Sequence, residues 1–466
     1  MALTLALLMG VSGGALAESD DLQLLDVAQF SDWYYQNPST ITDVGDPQIL
    51  RAEDAYWCFA TSSGRGYRVW RSEDLVHWEK QKEHAFLLNF DSWARGAFWA
   101  PEVYAYRGKY YMFYSASGEG VTGMRIGIAA SDAPGGPYVD IAPQPLFDPG
   151  FSVIDASFFV DDDGQPYLYY ARDCSENVVD GVHESHIYGV KLADDLSAIV
   201  GEPTLLLTPD QVWETDSGLE WLWNEGPIVL KHEGKYHLYY SANFYGSKEY
   251  GAGVAQSSSP LGPFEKRADN PILRYIDQDD EVLVSGPGHN SFVETPGGEL
   301  FTVYHTHYYP HAPSDHRQMA LDRAGFHADG TPYVNAPTLA PQLRPLDQLG
   351  LRQLLTEAQA DSPETAECLT DGDYGISQTS KDRGWRGTDL MFSWDEPVTL
   401  QALVIYAAPG QGSGRILLDD KQIALDLSTL SGIPGESLRF HFEPTEVSCL
   451  QLIMDQPDGI IYELIA

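Results

Sequence analysis

Residues 100–116 read APEVYAYRGKYYMFYSA: an apolar residue three positions in, a short turn at Arg107-Gly108-Lys109, then an aromatic strand. The same layout recurs as DPQILRAEDAYWCFAT from Asp46, DASFFVDDDGQPYLYYA from Asp155, EGPIVLKHEGKYHLYYSA from Glu225 and HNSFVETPGGELFTVYH from His289. The leading residues stand 54, 55, 70 and 64 positions apart, and Ile49, Val103, Phe158, Ile228 and Phe292 hold the same place in each copy. Gly-containing turns between β-branched and aromatic runs are hairpin chemistry. A second, weaker hairpin follows each copy: YRVWRSEDLVHWE, MRIGIAASDAPGGPYV, HIYGVKLADDLSAIV, YGAGVAQSSSPLGPFE and RQMALDRAGFHADGTPYV. Two hairpins make a four-stranded sheet, and five such sheets in tandem make an all-β, five-bladed β-propeller. A β-sandwich gives no reason for a period of this length.

The first strand of each propeller blade lines the central channel. Equivalent leading positions therefore converge on one axis, and they carry Asp46, Ala100, Asp155, Glu225 and His289. Three acids of five in one register are a different matter from three among the 68 acids of the chain. Two carboxylates in unlike surroundings are the apparatus of glycoside hydrolysis, one protonated for the leaving oxygen and one ionised for water. Glu225 follows Glu220-Trp221-Leu222-Trp223-Asn224; aromatic cover and nearby charge would keep it protonated and suit the acid. Asp46 suits the base, and Asp155 would tune and orient Glu225. Trp33, Trp99 and Phe98 offer a floor for sugar stacking, with packing between blades as the alternative for each.

These motifs resemble glycoside hydrolase family 43, five-bladed inverting enzymes acting on arabinofuranosyl and xylosyl linkages. The resemblance rests on Gly45-Asp46-Pro47, Trp99-Ala100-Pro101-Glu102, Ile154-Asp155-Ala156-Ser157, Glu225-Gly226-Pro227 and Gly286-Pro287-Gly288-His289-Asn290. It implies Asp46 as base, Asp155 as pKa modulator and Glu225 as acid. It also suggests Arg317 as a substrate or carboxylate contact, and His289 as the residue facing a hydrated calcium or similar cation in the channel; a neutral histidine satisfied by hydrogen bonds is the other reading. His305, His307, His311 and His316 invite a zinc reading, but no catalytic zinc motif accompanies them.

After Pro345 the repeat stops, and residues 346–466 carry runs such as LMFSWDEPVTLQALVIYAA and SLRFHFEPTEVSCLQLIMD, which read as strands of a smaller β-sandwich. LTDGDY at 369–374 with Gly384-Trp385 resembles galactose-binding-like (discoidin-type) modules, with Trp385 or Arg386 as sugar contacts. A structural brace is the competing role. Cys368 and Cys449 could bridge within this segment, whereas Cys58 and Cys174 sit in strand-like runs and read as buried small groups.

Residues 1–17, MALTLALLMGVSGGALA, read as a secretory signal ahead of a propeller spanning 18–345, so the mature protein is expected to be secreted or periplasmic. With 28 basic against 68 acidic residues the formal charge is −40. Such a chain has no basic stripe to displace phosphate counterions and no attraction to anionic lipid, so nucleic acid and membrane are excluded as partners. A neutral oligo- or polysaccharide is the expected substrate. The reading is an inverting, exo-acting hydrolase releasing α-L-arabinofuranosyl or β-D-xylosyl units from plant or algal glycans, needing no cofactor for its chemistry. The alternatives are an endo-arabinanase or galactan-directed hydrolase on the same fold, or a non-catalytic sugar-binding propeller.

Overall fold

The structure, a computed structural model, describes residues 20–216, 218, 220–377, 379–380, 383–410 and 412–466. The signal segment lies outside the described residues. Five antiparallel four-stranded sheets follow one another along the chain, each built from two successive hairpins. Blade 1 comprises Gly45–Ala52, Ala55–Thr61, Val69–Ser72 and Glu79–Lys80; blade 2 comprises Ala94–Tyr106, Lys109–Gly118, Met124–Ser131 and Val139–Asp140. Blade 3 holds Val153–Val160, Pro166–Arg172, His186–Leu192 and Ile199–Leu207. Blade 4 holds Asn224–His232, Lys235–Ala242, Gly251–Ser257 and Glu265–Lys266, and blade 5 holds Gly288–Glu294, Leu300–His307, Arg317–Phe326 and Pro332–Val334.

The first strands touch in cyclic order, 1 to 2 through to 5 and back to 1, which makes the sheets a propeller. Each junction between blades has its own apolar core. Phe59, Phe98 and Tyr114 fill that between blades 1 and 2, while Ile49, Val293 and Phe301 fill that between blades 5 and 1. Among the described residues no strand is shared across the last junction. Instead the segment before blade 1 lies along blade 5: Val44 N–H donates to Arg317 O (3.1 Å), Met319 N–H to Ile41 O (3.0 Å), and Tyr34–Tyr35 pairs with Gln342–Leu343.

The C-terminal domain is one sheet folded over a single core rather than two separate sheets. Its long strands, Asp389–Ala407 and Ser437–Met454, pair with each other but break register at Ser393/Val398 and Leu400/Ala402. Leu390 and Phe392 from before the breaks join Leu403 and Ile405 from beyond them in that core. Two expectations are corrected. Residues 20–25 are not part of the propeller: Asp20–Asp21 pairs with Lys421–Gln422, and Leu24–Leu25 with His441–Phe442. Cys368 and Cys449 form no disulfide; Cys58 and Cys174 are buried thiols as expected.

The two domains dock through hydrogen bonds. The loop around Asp371-Gly372-Asp373-Tyr374 lies on blade 5, where Tyr333 Oη donates to Asp371 O (2.7 Å) and Asn335 Nδ2 to Gly372 O (2.7 Å). His327 sits between Asp371 Oδ2 (2.9 Å) and Asp373 Oδ2 (3.1 Å). The loop that carries the galactose-binding-like resemblance is therefore a docking element. Trp385, offered as a sugar contact, is buried in the C-terminal core. Trp33 is corrected likewise: it packs edge-on to His441 (5.1 Å) and Phe30 (5.2 Å) at the domain junction.

Candidate active site

Each first strand has a left-handed residue where its ladder breaks register, Asp46 (φ 54°), Ala100 (41°), Asp155 (57°), Gly226 (56°) and His289 (50°), and blade 2 has a second one at Ala97 (50°). The ladder breaks fall at Gly45/Gln48, Trp99/Glu102, Ile154/Ser157, Glu225/Ile228 and Gly288/Ser291. Blade 4 is thus shifted by one against the register read from sequence. Gly226, not Glu225, is the counterpart of Asp46 and Asp155, while Glu225 corresponds to Gly45, Trp99, Ile154 and Gly288. A one-residue shift along a strand changes where a side chain points. The acid therefore enters the site from a different position on its blade than the other two carboxylates.

An unpaired backbone N–H at such a bulge needs an acceptor. A side chain near the end of the second strand of the preceding blade supplies it in four cases. His305 Nδ1 accepts from Asp46 N–H (3.1 Å), Thr61 Oγ1 from Ala100 (2.8 Å), Ser115 Oγ from Asp155 (2.9 Å) and Ser241 Oγ from His289 (2.7 Å). The corresponding residue of blade 3 is Ala171, opposite Ile154. Alanine has no acceptor, and Asp155 Oδ2 takes the Gly226 N–H instead (3.1 Å). This bond ties the Asp155 carboxylate to the residue following Glu225. It is the physical reason that a carboxylate from blade 3 faces the acid of blade 4.

Asp46 is surrounded by positive and donating groups. Arg317 Nη1 donates to Oδ1 (2.9 Å), Thr61 Oγ1 to Oδ2 (2.6 Å), and His289 Nδ1 lies 3.4 Å from Oδ1. Burial works to raise this carboxyl, but Arg317, then His289 and the Thr61 hydroxyl outweigh it and hold Asp46 well below the ordinary carboxylate range. Glu225 is the opposite case. Burial and the negative charge of Asp155 push it well above the ordinary value, against the lowering hydrogen bond that Tyr250 Oη donates to Oε1 (3.1 Å). Asp155 is raised by burial and drawn down by His289 and the Gly226 N–H. Within this pair the proton resides on Glu225 and the charge on Asp155.

The motif glycines make room for these side chains. A Cβ on Gly45 would fall inside the Arg317 guanidinium, one on Gly288 inside the Tyr250 ring, and one on Gly226 within 3.1 Å of His289 Nδ1. Tyr250 in turn stacks on His305 (5.5 Å, 7°), so the ring that supports the Asp46 backbone also backs the phenol on Glu225. Burial and then Arg317 depress His305, which stays neutral and accepts at Nδ1.

The remaining sequence candidates divide. Arg317 is a carboxylate contact, with its guanidinium over the Tyr245 ring at 5.0 Å. Trp99 is 43% exposed beside Ala100, at the channel mouth, whereas Phe98 on the opposite side of the strand is packed among Tyr67, Phe86 and Tyr114. Phe98 is therefore core and no stacking floor. His289 offers a cation one ring, whose Nδ1 faces Asp46 and the Gly226 backbone. Among the described residues no group of three or more His, Cys, Asp or Glu is arranged to hold a metal. These residues do not fit a protein-ligated calcium, and no step is assigned to one. The four other histidines serve separate ends: His305 as above, His307 between Ser285 Oγ and Tyr245 O, His311 near Glu281, and His316 on Asp43.

Sequence reading missed the roles of Thr61, Ser115, Ser241, His305 and Tyr250. The signal for the first four was present, since each lies near the end of its repeat's second strand, and Ala171 is the break in the series. Glu102 was also missed. It is buried, receives the Tyr104 hydroxyl, and is pushed up to about 8 by burial, with Asp155 adding to the rise.

The sequence profile of glycosyl hydrolases family 43 matches residues 35–332. The chain is 29% identical to a β-D-galactofuranosidase of Aspergillus niger over 304 residues, 61% of this chain and 80% of that protein. It is 26% identical to an extracellular exo-α-(1→5)-L-arabinofuranosidase of Streptomyces avermitilis, covering 63% of this chain and 61% of that one. Among solved structures, a thermostable family-43 glycoside hydrolase superimposes with a TM-score of 0.63 at 46% identity, over 67% of this chain and 99% of that one.

Proposed function

The chain belongs to glycosyl hydrolases family 43, and from that premise we propose an exported, inverting, exo-acting enzyme that releases terminal α-L-arabinofuranosyl or β-D-xylosyl units from plant or algal glycans. The observation that carries the mechanism is the opposite surroundings of two buried carboxyls. Asp46 is held ionised by Arg317, and Glu225 is held protonated by burial and Asp155. Asp46 accepts a proton from water as the water oxygen bonds to the anomeric carbon. Glu225 delivers its proton to the glycosidic oxygen as the bond to the leaving sugar breaks, and the configuration inverts. Tyr250 occupies Oε1, which leaves Oε2 to carry the proton. Asp155 keeps Glu225 protonated in the resting enzyme, and Tyr250 stabilises the carboxylate once the proton has gone.

A propeller that only bound sugar would have no use for carboxyls set apart in this way. The exo mode and the arabinofuranosyl preference draw support from the relative named an exo-arabinofuranosidase, and the xylosyl option from a Vibrio relative named a xylan 1,3-β-xylosidase. Export draws on the extracellular relative and on residues 1–17. The test is turnover of aryl α-L-arabinofuranoside, aryl β-D-xyloside, aryl β-D-galactofuranoside and debranched arabinan side by side, with the anomer of the first-formed sugar read by NMR. A retained configuration refutes the mechanism. Preferential cleavage of the polymer into oligomers refutes the exo mode.

A further inference from the structure

Outside the five blades, the loop between the second and third strands of blade 3 forms a hairpin, Val178–Val179 with Val182–Glu184. Trp221–Leu222, just ahead of blade 4, adds to it in parallel. Ser185 N–H donates to Leu222 O (2.9 Å) and Asn224 N–H to Ser185 O (3.2 Å), so this small sheet is fastened to the strand that carries Glu225. The loops joining second to third strands, and those leading into first strands, open on the face where Asp46 and Glu225 lie. The sheet is thus a rim on that face, on the side of the acid. One face of Trp221 is stacked on His183 (4.2 Å, 12°), and His183 Nδ1 is itself anchored at Cys174 O (2.8 Å). Trp221 nevertheless remains 41% exposed, and Val178 and Val179 on the opposite edge strand of the same small sheet are exposed too. A large aromatic held rigid from behind and open in front suits the apolar face of a sugar ring.

We propose that Trp221, backed by His183, is a leaving-group subsite that stacks a sugar ring of the glycan beyond the bond being cleaved. The inference rests on the hydrolase reading above. It follows from position: Glu225 gives its proton to the leaving sugar, so that sugar lies on the acid's side. Trp221 stands four residues before Glu225, at most about 14 Å along the chain, a span of one or two sugar rings. The substrate is neutral, and the rim offers it an apolar platform.

The test compares α-(1→5)-L-arabinotriose with α-L-arabinofuranosyl fluoride, whose leaving atom is too small to reach any such subsite. For an enzyme that prefers xylose the pair is xylotriose and the matching fluoride. Trp221→Ala should raise KM on the trisaccharide about tenfold and leave kcat/KM on the fluoride within about twofold, the separation expected for lost binding on the leaving side. Trp221→Phe, which keeps a ring, should recover most of the loss. Equal losses on both substrates, or no loss on the trisaccharide, overturn the subsite while wild-type turnover of the fluoride keeps the hydrolase reading standing. A wild type inert towards both fluorides overturns both readings.

Discussion

Tyr250→Phe removes the hydrogen bond to the acid together with the phenol's contact to the Ser241 hydroxyl. The phenol is buried, its ring stays stacked on His305, and Gly288 still makes room for it. The lost bond runs from Oη to Glu225 Oε1 at 3.1 Å. Hydrogen bonds to charged groups contribute about 1.5–3 kcal/mol, and one this long belongs at the lower end. The carboxylate forms as the proton leaves, so about 1.5 kcal/mol should appear in the transition state, roughly a tenfold fall in kcat. The fall should be confined to natural glycosides; aryl glycosides with good leaving groups need little protonation and should be nearly unaffected. The pH profile supplies the sign. The bond favours the ionised form of Glu225 and lowers its pKa, so its loss raises that pKa and carries the alkaline limb of kcat/KM to higher pH. The negative groups facing Glu225, namely Asp155, Asp173 and Asp46, are untouched by this substitution. A loss equal across leaving groups, or a limb that moves down, would refute the reasoning.

Ala171→Ser offers the Gly226 N–H a hydroxyl and frees Asp155 from it; with less negative charge held at Glu225, the alkaline limb should move down, the same direction as Asp155→Asn and by less. At the domain junction, burial would depress His327, but Asp371 and Asp373 outweigh it and raise it to about 9. A raised folded-state pKa stabilises fully below the ordinary value near 6.5 and loses that contribution as pH rises through about 9. His327→Gln should therefore lower Tm at pH 6 by several degrees and leave it nearly unchanged at pH 10, whereas a constant deficit would assign His327 to packing alone. Chelator treatment should leave both Tm and activity where they are, and a drop restored by calcium would show that a hydrated ion is held after all.

The propeller was legible because each blade repeats a local pattern, a hairpin of aromatic and β-branched residues, and local patterns survive in one dimension. The register of blade 4 was not. Aligning Glu225 with Asp46 matches like charge with like, but the left-handed conformation falls on Gly226, the residue whose missing Cβ also accommodates His289. Chemistry guided the alignment where backbone conformation should have. Trp33 and the strands at residues 20–25 were misplaced for another reason. Their partners, His441 and the strands at 421–442, lie about four hundred residues away, and two-residue strands carry no periodicity. Phe98 and Trp99 are neighbours with opposite fates: alternation along a strand tells one face from the other, but not which face is the mouth.

The five bulge N–H groups, each received by a side chain from the blade before, form a closed circuit with no free end. Every acceptor sits in a sheet; none sits in a loop that frames the mouth. Those loops can accordingly be lengthened, shortened or exchanged with relatives while the hydrogen-bonded circuit beneath them is untouched, which separates the part of the molecule that chooses a sugar from the part that cleaves it. The same closure makes a blade a poor unit of exchange. Replacing one blade severs the circuit at two points, so chimeras of this scaffold should be cut between the first and second strands of a blade, at the turn away from the mouth. That cut keeps each second-strand acceptor with the N–H it receives; blade 3, whose acceptor Asp155 lies on its first strand, is the exception.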